Sequence, residues 1–252
     1  MRIEDGQHVF RSRPLVGWLK LFLCILAVKV FAMTIWGYRN YFPPNFDDGF
    51  LIGRRALFGG VYPLPFYIHI VSAPIGLVLM SFLVASERPT QKLRVIQRNH
   101  RRLGKTTAYL VLTLVVPSGL WMAWWAASGT IAMWGLWIQG SLTAGTMLMA
   151  IRAAKNHRFD NHRICMNRCF VLMAAPLLLR VLGGASEVAF MTDLGNQHVA
   201  LWDNIYRFNT WISWLFPLVA YEVLSSSKTG FRQRINRSVR RTTPRVTTET
   251  SF

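Results

Sequence analysis

The chain has 252 residues with 29 Lys and Arg against 11 Asp and Glu, a net charge of +18, and yet 52% of it is hydrophobic and only 16% is charged. A nucleic-acid binder of this charge carries its basic residues in a polar background; here the mean hydropathy is +0.27 and the charges cluster between long apolar runs, which argues against nucleic acid as a partner and for an all-α, polytopic membrane helix bundle. The three cysteines, Cys24, Cys165 and Cys169, lie in or beside apolar runs and make no disulfide framework.

In chain order, residues 1–14 read as an N-terminal segment, 15–224 as a transmembrane domain and 225–252 as a tail. Six segments meet the requirement of about 20 apolar residues for crossing a hydrocarbon core: 15–38, 62–85, 106–127, 131–151, 164–182 and 204–224. Backbone groups in lipid must bond within their own segment, so all six are expected to be helices. The first is expected to remain as a span rather than be cleaved, because its apolar run is long, contains Lys20 and Lys29, and lacks a small-residue cleavage site before Trp36-Gly37-Tyr38. Between the first two spans, Asn45-Phe46-Asp47-Asp48 precedes Phe50, Leu51, Leu57 and Phe58 and closes on Gly59-Gly60. An acidic first turn, an apolar face and terminal glycines read as a short interfacial helix. The tail is basic, rich in Thr and Ser and aperiodic, so it is expected to be disordered and drawn to anionic lipid.

Basic residues assign the sides. Arg2, Arg11 and Arg13 precede the first span; Arg88, Lys92, Arg94, Arg98, Arg101, Arg102 and Lys105 lie between spans two and three. Arg152, Lys155, Arg158 and Arg163 lie between spans four and five, and Lys228, Arg232, Arg234, Arg237, Arg240, Arg241 and Arg245 follow the last. The opposite loops hold only Arg39, Arg54 and Arg55. The positive-inside rule therefore places both termini in the cytoplasm of a cell whose plasma membrane the chain crosses. Trp36, Trp121, Trp124, Trp125, Trp134, Trp137 and Trp202 gather toward the ends placed outside, as residues that favour the headgroup level do.

Asn99-His100-Arg101 and Asn161-His162-Arg163 are the same tripeptide, each placed just before a span on the basic side and each followed within that span by a proline, Pro117 and Pro176. This pattern predicts that spans two to five form a parallel repeat of two hairpins, with His100 and His162 at matching depth beside the axis that relates them.

The segments His100-Arg101-Arg102-Leu103-Gly104-Lys105 and His162-Arg163-Ile164-Cys165-Met166-Asn167-Arg168, with His69 earlier and Leu179-Arg180 later, resemble an uncharacterised bacterial family of predicted membrane proteins. That domain of unknown function follows the pattern H, HR-x-L-G-R-x-Y, HR-x-W-M-x-R and L-R, and the resemblance covers about residues 62–185. Thr107 stands where the family has Tyr, and Cys165 where it has Trp. The resemblance implies the fold and carries no activity, although the arrangement is distantly reminiscent of four-helix b-type membrane cytochromes.

In such a cytochrome a b-type haem is held by His residues of facing helices, and neighbouring Arg side chains neutralise its propionates. On that reading His100 and His162 are the iron ligands, Arg101, Arg163 and Arg168 are propionate partners, and a quinone or another redox partner exchanges electrons with the group. Two other readings of the pair stand beside it: contact with lipid headgroups or phosphate through a basic inner face, and plain structural capping. His69 lies in the outer half of span two, where it either joins a cofactor site or bonds a backbone carbonyl. Ser72, Gly76, Ser141 and Gly145 have small-xxx-small spacing, which suits close helix packing or a slot for a flat ring. His162, Cys165, Met166 and Cys169 share one helix face and are ligand types that soft metals accept. Arg168 and Arg180 are costly inside a span unless paired, with Glu187, Asp203 and Glu222 as candidate partners. A transporter reading is weaker, since no span is broken by paired Gly and Pro interruptions. No phosphate loop, hydrolytic triad or metalloprotease helix occurs.

Overall fold

The computed structural model describes residues 13–47, 49–86, 93–126, 128–190 and 198–242. Its long elements are α1 (Arg13–Gly37), α2 (Pro63–Ala85), α3 (Leu93–Leu110), a π-helical turn (Val111–Val115) that runs into α4 (Val116–Trp124), α5 (Gly129–Lys155), α6 (Phe159–Phe190) and α7 (His198–Thr242). Three short 3₁₀ turns, Tyr38–Asn40, Gly49–Leu51 and Arg55–Gly59, fill the connection between α1 and α2. The described residues contain no strand, and the molecule is an all-α membrane helix bundle.

Four stretches are long and apolar enough to cross a bilayer: Leu21–Asn40, Pro63–Ala85, Asn99–Trp124 and Phe159–Ser186. The other two long helices run beside the fourth of these. The Gln139 amide donates to the Leu172 carbonyl at 3.0 Å and the His162 ring donates to the Ala150 carbonyl at 2.9 Å, so α5 lies antiparallel to α6 along their shared length. Arg168 meets Glu222, and the Asn209 amide donates to the Ser186 hydroxyl at 3.2 Å, which sets α7 antiparallel to α6 as well. Large apolar side chains such as Phe22, Val71, Phe82, Leu148, Phe208 and Phe216 are exposed along the helices. In water such a surface would drive aggregation; against acyl chains it is the expected exterior.

Helices α2, α3–α4, α5 and α6 form the centre, with α2 packed on α3, α4 and α6, and α5 packed on α4 and α6; α7 covers α5 and α6, and α1 touches α6 from outside. Met80, Leu83, Val111, Met147, Ala150, Cys165, Met166 and Cys169 make the main core among the four central helices. A second cluster around Leu51, Tyr62, Phe66 and Ile70 closes the other end, where Tyr41, Phe50, Phe58 and Tyr67 place their rings around Phe66. Leu172, Ala175 and Trp214 join α6 to α7.

Three sequence expectations change. The segment expected to form an interfacial helix is instead two 3₁₀ turns: Gly53 takes a positive φ of 71°, which stops a continuous helix, and Leu51 turns into the aromatic cluster rather than toward lipid. The polar run before span three is helix from Leu93 onward. His100, Leu103 and Thr107 fall on one face at helical spacing, and the Gln, Arg, Lys and Leu of this run are good helix formers. Helix α7 continues to Thr242, through the first part of the segment read from sequence as an aperiodic tail; Arg, Gln and Ser tolerate helix once a packed helix has nucleated it.

Pro117 accounts for the change of register in the α3–α4 ladder. Lacking an N–H, it leaves the carbonyl one turn back, that of Thr113, without its usual donor, and Thr113 lies inside the π-helical turn Val111–Val115. Such turns release backbone acceptors to other donors, and the Val115 carbonyl receives one from His69.

Candidate functional site

His100 lies in α3 and His162 near the start of α6, and both rings are half-buried at the same end of the bundle, within electrostatic range of each other. The His162 Nδ1 lies 2.9 Å from the Ala150 carbonyl, which can only accept, so Nδ1 carries the proton. The His100 Nδ1 lies 3.1 Å from the Ser86 hydroxyl, which also lies 3.0 Å from the Leu83 carbonyl. With Nδ1 engaged in each ring, Nε2 is the nitrogen through which a neutral imidazole would bind a metal or accept a proton. Each bond also reaches back to the first helix of the same hairpin: His100 to the end of α2, His162 to α5.

Of the arginines named from sequence, Arg101 and Arg163 are exposed at this end. Arg168 is elsewhere engaged: its Nε and Nη2 donate to the two carboxylate oxygens of Glu222 at 2.5 and 2.8 Å. The fork-on-carboxylate geometry ties α6 to α7 and takes Arg168 away from any role as a propionate partner. Of the candidate partners for the intramembrane arginines, Glu222 is thus the one used by Arg168, while the side chains of Glu187 and Asp203 lie outside the described residues. Arg180 donates to the Pro176 carbonyl at 3.1 Å.

His69 is not part of the inner pair. Its Nδ1 lies 3.1 Å from the Val115 carbonyl and 3.1 Å from the Ser118 hydroxyl, and that hydroxyl donates to the Leu114 and Val115 carbonyls. His69 therefore donates through Nδ1 and bonds a backbone carbonyl, one of the two readings open from sequence. Gly119 allows this approach, since a Cβ there would stand 2.9 Å from the ring Cε1.

The small residues divide. Gly76 packs against Met173, Val115 and Leu110, and Ser72 is buried with an unpartnered hydroxyl, whereas Ser141 is exposed and Gly145 has open space beside it. The α2 pair serves helix packing and the α5 pair faces away. Cys165, Met166 and Cys169 are buried in the main core, and the Cys169 thiol points at the Thr143 carbonyl at 3.7 Å. Among the described residues no group of three or more His, Cys, Asp or Glu is placed to hold a metal ion.

Sequence reasoning missed Ser86 and Ala150, whose oxygens engage the two imidazoles. Ser86 carried a signal, a polar residue ending a span; a backbone carbonyl carries none. At the opposite end Arg54 donates to the Phe50 carbonyl and lies 3.9 Å over the Phe50 ring.

A protein-family model described as "Predicted membrane protein (DUF2306)" matches residues 66–222. The chain matches no curated protein and no solved structure. The matched stretch spans α2 to α7 and contains all three histidines discussed above.

Proposed function

The chain belongs to the DUF2306 family of predicted membrane proteins, and from that premise we propose that it transfers electrons in the membrane through one b-type haem held between His100 and His162. The observation that carries this reading is a matched placement: two imidazoles at one end of neighbouring hairpins, each with Nδ1 engaged on an oxygen of its hairpin's first helix. A hydrogen bond from the far nitrogen fixes ring orientation and raises ligand basicity, the arrangement found behind metal-bound histidines. Two imidazole nitrogens are a donor pair that a haem iron takes. When bound, the group supplies reversible one-electron chemistry. The chain's own residues hold and tune it: Ser86 and Ala150 orient the ligands, and Arg101 and Arg163 offer positive charge to the propionates. A quinone from the bilayer or a soluble redox partner would complete the exchange.

The same proposal includes six spans, with α5 and α7 crossing beside α6, both termini on the basic side, and that side facing the cytoplasm of a cell whose plasma membrane holds the protein. Domain limits follow from it: 1–14 before the spans, 15–224 within them, 225–252 after. The exchange of partners in the centre, α2 on α6 and α5 on α4, is the one that a two-fold relation between hairpins requires.

A second reading has its own support. Arg101, Arg102, Lys105 and Arg163 are all exposed at this end, which suits a non-catalytic module that binds anionic lipid or a partner protein. A reduced-minus-oxidised spectrum of protein expressed with ample haem supply separates the two. A b-type signal lost in His100→Ala and in His162→Ala is the expected result; no such signal in the unaltered protein overturns the haem reading and leaves the binding module.

A further inference from the structure

Lys29 places a cation in the middle of an apolar span. It is the ninth residue of the 20 in Leu21–Asn40, and no residue of that stretch is buried against the bundle. At roughly 1.5 Å per residue, the ends of the stretch lie about 12 and 16 Å from it along the helix, farther than a four-carbon stem carries an ammonium group. The Lys29 side chain is itself exposed. A charge held at that depth against acyl chains is costly, and such residues are found where they meet an opposite charge.

The chain itself has no carboxylate to spare at that depth. Of its 11 Asp and Glu, Glu222 alone falls inside a helix; in sequence the others precede α1, follow α7, or fall between helices or in their end turns. Glu222 is held through both oxygens by Arg168. Positions 187 and 203 belong to the end of the bundle where α5 begins, because the Asn209 amide donates to the Ser186 hydroxyl and the Arg207 guanidinium to the Ser128 carbonyl. Helix α1 reaches that end at Gly37, just before Tyr41, whose carbonyl accepts from Tyr67. Lys29 lies eight residues, about 12 Å, inward of Gly37.

Lys29 also stands in a stripe. Trp18, Phe22, Ile25, Lys29, Ala32 and Trp36 recur at alternating steps of four and three, the period of a helix–helix seam. All six are exposed, whereas Leu26, Val30 and Thr34, one turn apart on another face, are half-buried and turn to the bundle. Small Ala32 opens a hollow that Phe31, Ile35, Trp36 and Arg39 complete. A single polar residue within such a seam selects the partner and its register. A second copy of α1 would bring another Lys29 to the same depth, where like charges repel. We propose that this stripe docks a transmembrane helix of a different membrane protein, one that carries an Asp or Glu at mid-membrane depth against Lys29. Helix α1 precedes residues 66–222 of the family match, so the docking face stands apart from whatever the inner histidines bind.

The test uses the full chain in phosphatidylcholine vesicles, with a synthetic Leu/Ala transmembrane helix bearing one central Glu as the probe and energy transfer between labels as the signal. The Glu helix is expected to bind about tenfold more tightly than its Gln counterpart, the difference that one polar contact between spans makes. Lys29→Leu is expected to erase that preference and Lys29→Arg to keep it. Removing the charge makes the span more apolar, so Lys29→Leu is expected to insert and to resist unfolding at least as well as the unaltered chain, which separates lost docking from misfolding. In native membranes, a photo-crosslinking side chain in place of Ala32 is expected to capture a partner span that contains Asp or Glu, and one in place of Cys24, exposed on another face, is not. Equal binding of the Glu and Gln helices, capture undiminished in Lys29→Leu, a captured span without a carboxylate, or a product made of two copies of this chain overturns the proposal.

Discussion

Gly119→Ala isolates the contact between α2 and α4. In an ordinary helix the change stabilises by up to about 1 kcal/mol, because alanine loses less backbone entropy. Here the new Cβ would stand 2.9 Å from His69 Cε1 and 3.2 Å from Nδ1, and the ring cannot swing away without giving up the Val115 carbonyl and the Ser118 hydroxyl. Overpacking of this kind costs about 1–3 kcal/mol, and a lost buried hydrogen bond about 1 kcal/mol more. The net expectation is destabilisation of about 1–3 kcal/mol after the helix gain is subtracted. Gly145→Ala provides the comparison, since a Cβ there meets nothing within 4 Å, and it is expected to be neutral or mildly stabilising. Unfolding in mixed micelles, followed by Trp fluorescence, reads both. The double change Gly119→Ala with His69→Ala removes the clash, so it is expected to be less damaging than the sum of its parts. Equal stability of the Gly119 and Gly145 variants, or strict additivity with His69→Ala, would refute the argument that His69 is pinned against the α4 backbone.

Three further outcomes are expected. Glu222→Gln leaves Arg168 without its carboxylate; because the two side chains are 34% and 38% exposed, the loss is about 1–3 kcal/mol rather than the larger figure for full burial, and Arg168→Met with Glu222→Leu recovers most of it in the same unfolding assay. Single cysteines at positions 95 and 235, in a chain with Cys24, Cys165 and Cys169 replaced, are expected to react with impermeant thiol reagents only from the cytoplasmic side, and those at 50 and 195 only from outside; the reverse pattern rejects the orientation. His100→Ala and His162→Ala are each expected to abolish cofactor retention as fully as the double change, as residues acting in one site do, while two independent structural bonds would instead give additive losses of about 1 kcal/mol in stability.

The spans were legible because hydrophobic length is a one-dimensional property: the segment read as 62–85 is the helix Pro63–Ala85, and the one read as 15–38 is Arg13–Gly37. The polar start of α3 was not, because a run rich in Arg and Gln looks like loop until its period is counted, and Leu103 and Thr107 then fall on the face that His100 shares. The pairing of Arg168 with Glu222 was legible as one of several choices, since chemistry demands a carboxylate and depth leaves few. The partners of the two imidazoles were out of reach, because they lie in the carbonyl of Ala150 and the hydroxyl of Ser86. The loop before α2 misled because glycines and an apolar face fit an interfacial helix as well as they fit turns folded onto Phe66.

The two ends of the bundle differ in symmetry, and that difference bears on where chemistry is shared. At the inner end each hairpin repeats one device, a histidine on its second helix with Nδ1 engaged on an oxygen at the end of its first. At the outer end the corresponding places diverge. On the first hairpin, α2 sends His69 to the Val115 carbonyl beneath a cap of aromatic rings. On the second, the start of α5 is occupied by α7: the Trp211 indole donates to the Ile131 carbonyl at 3.1 Å and lies where a Cβ on Gly135 would stand 3.0 Å from its nitrogen. A ligand held between the hairpins needs matched donors from both, and among the described residues the inner end offers such a pair in His100 and His162.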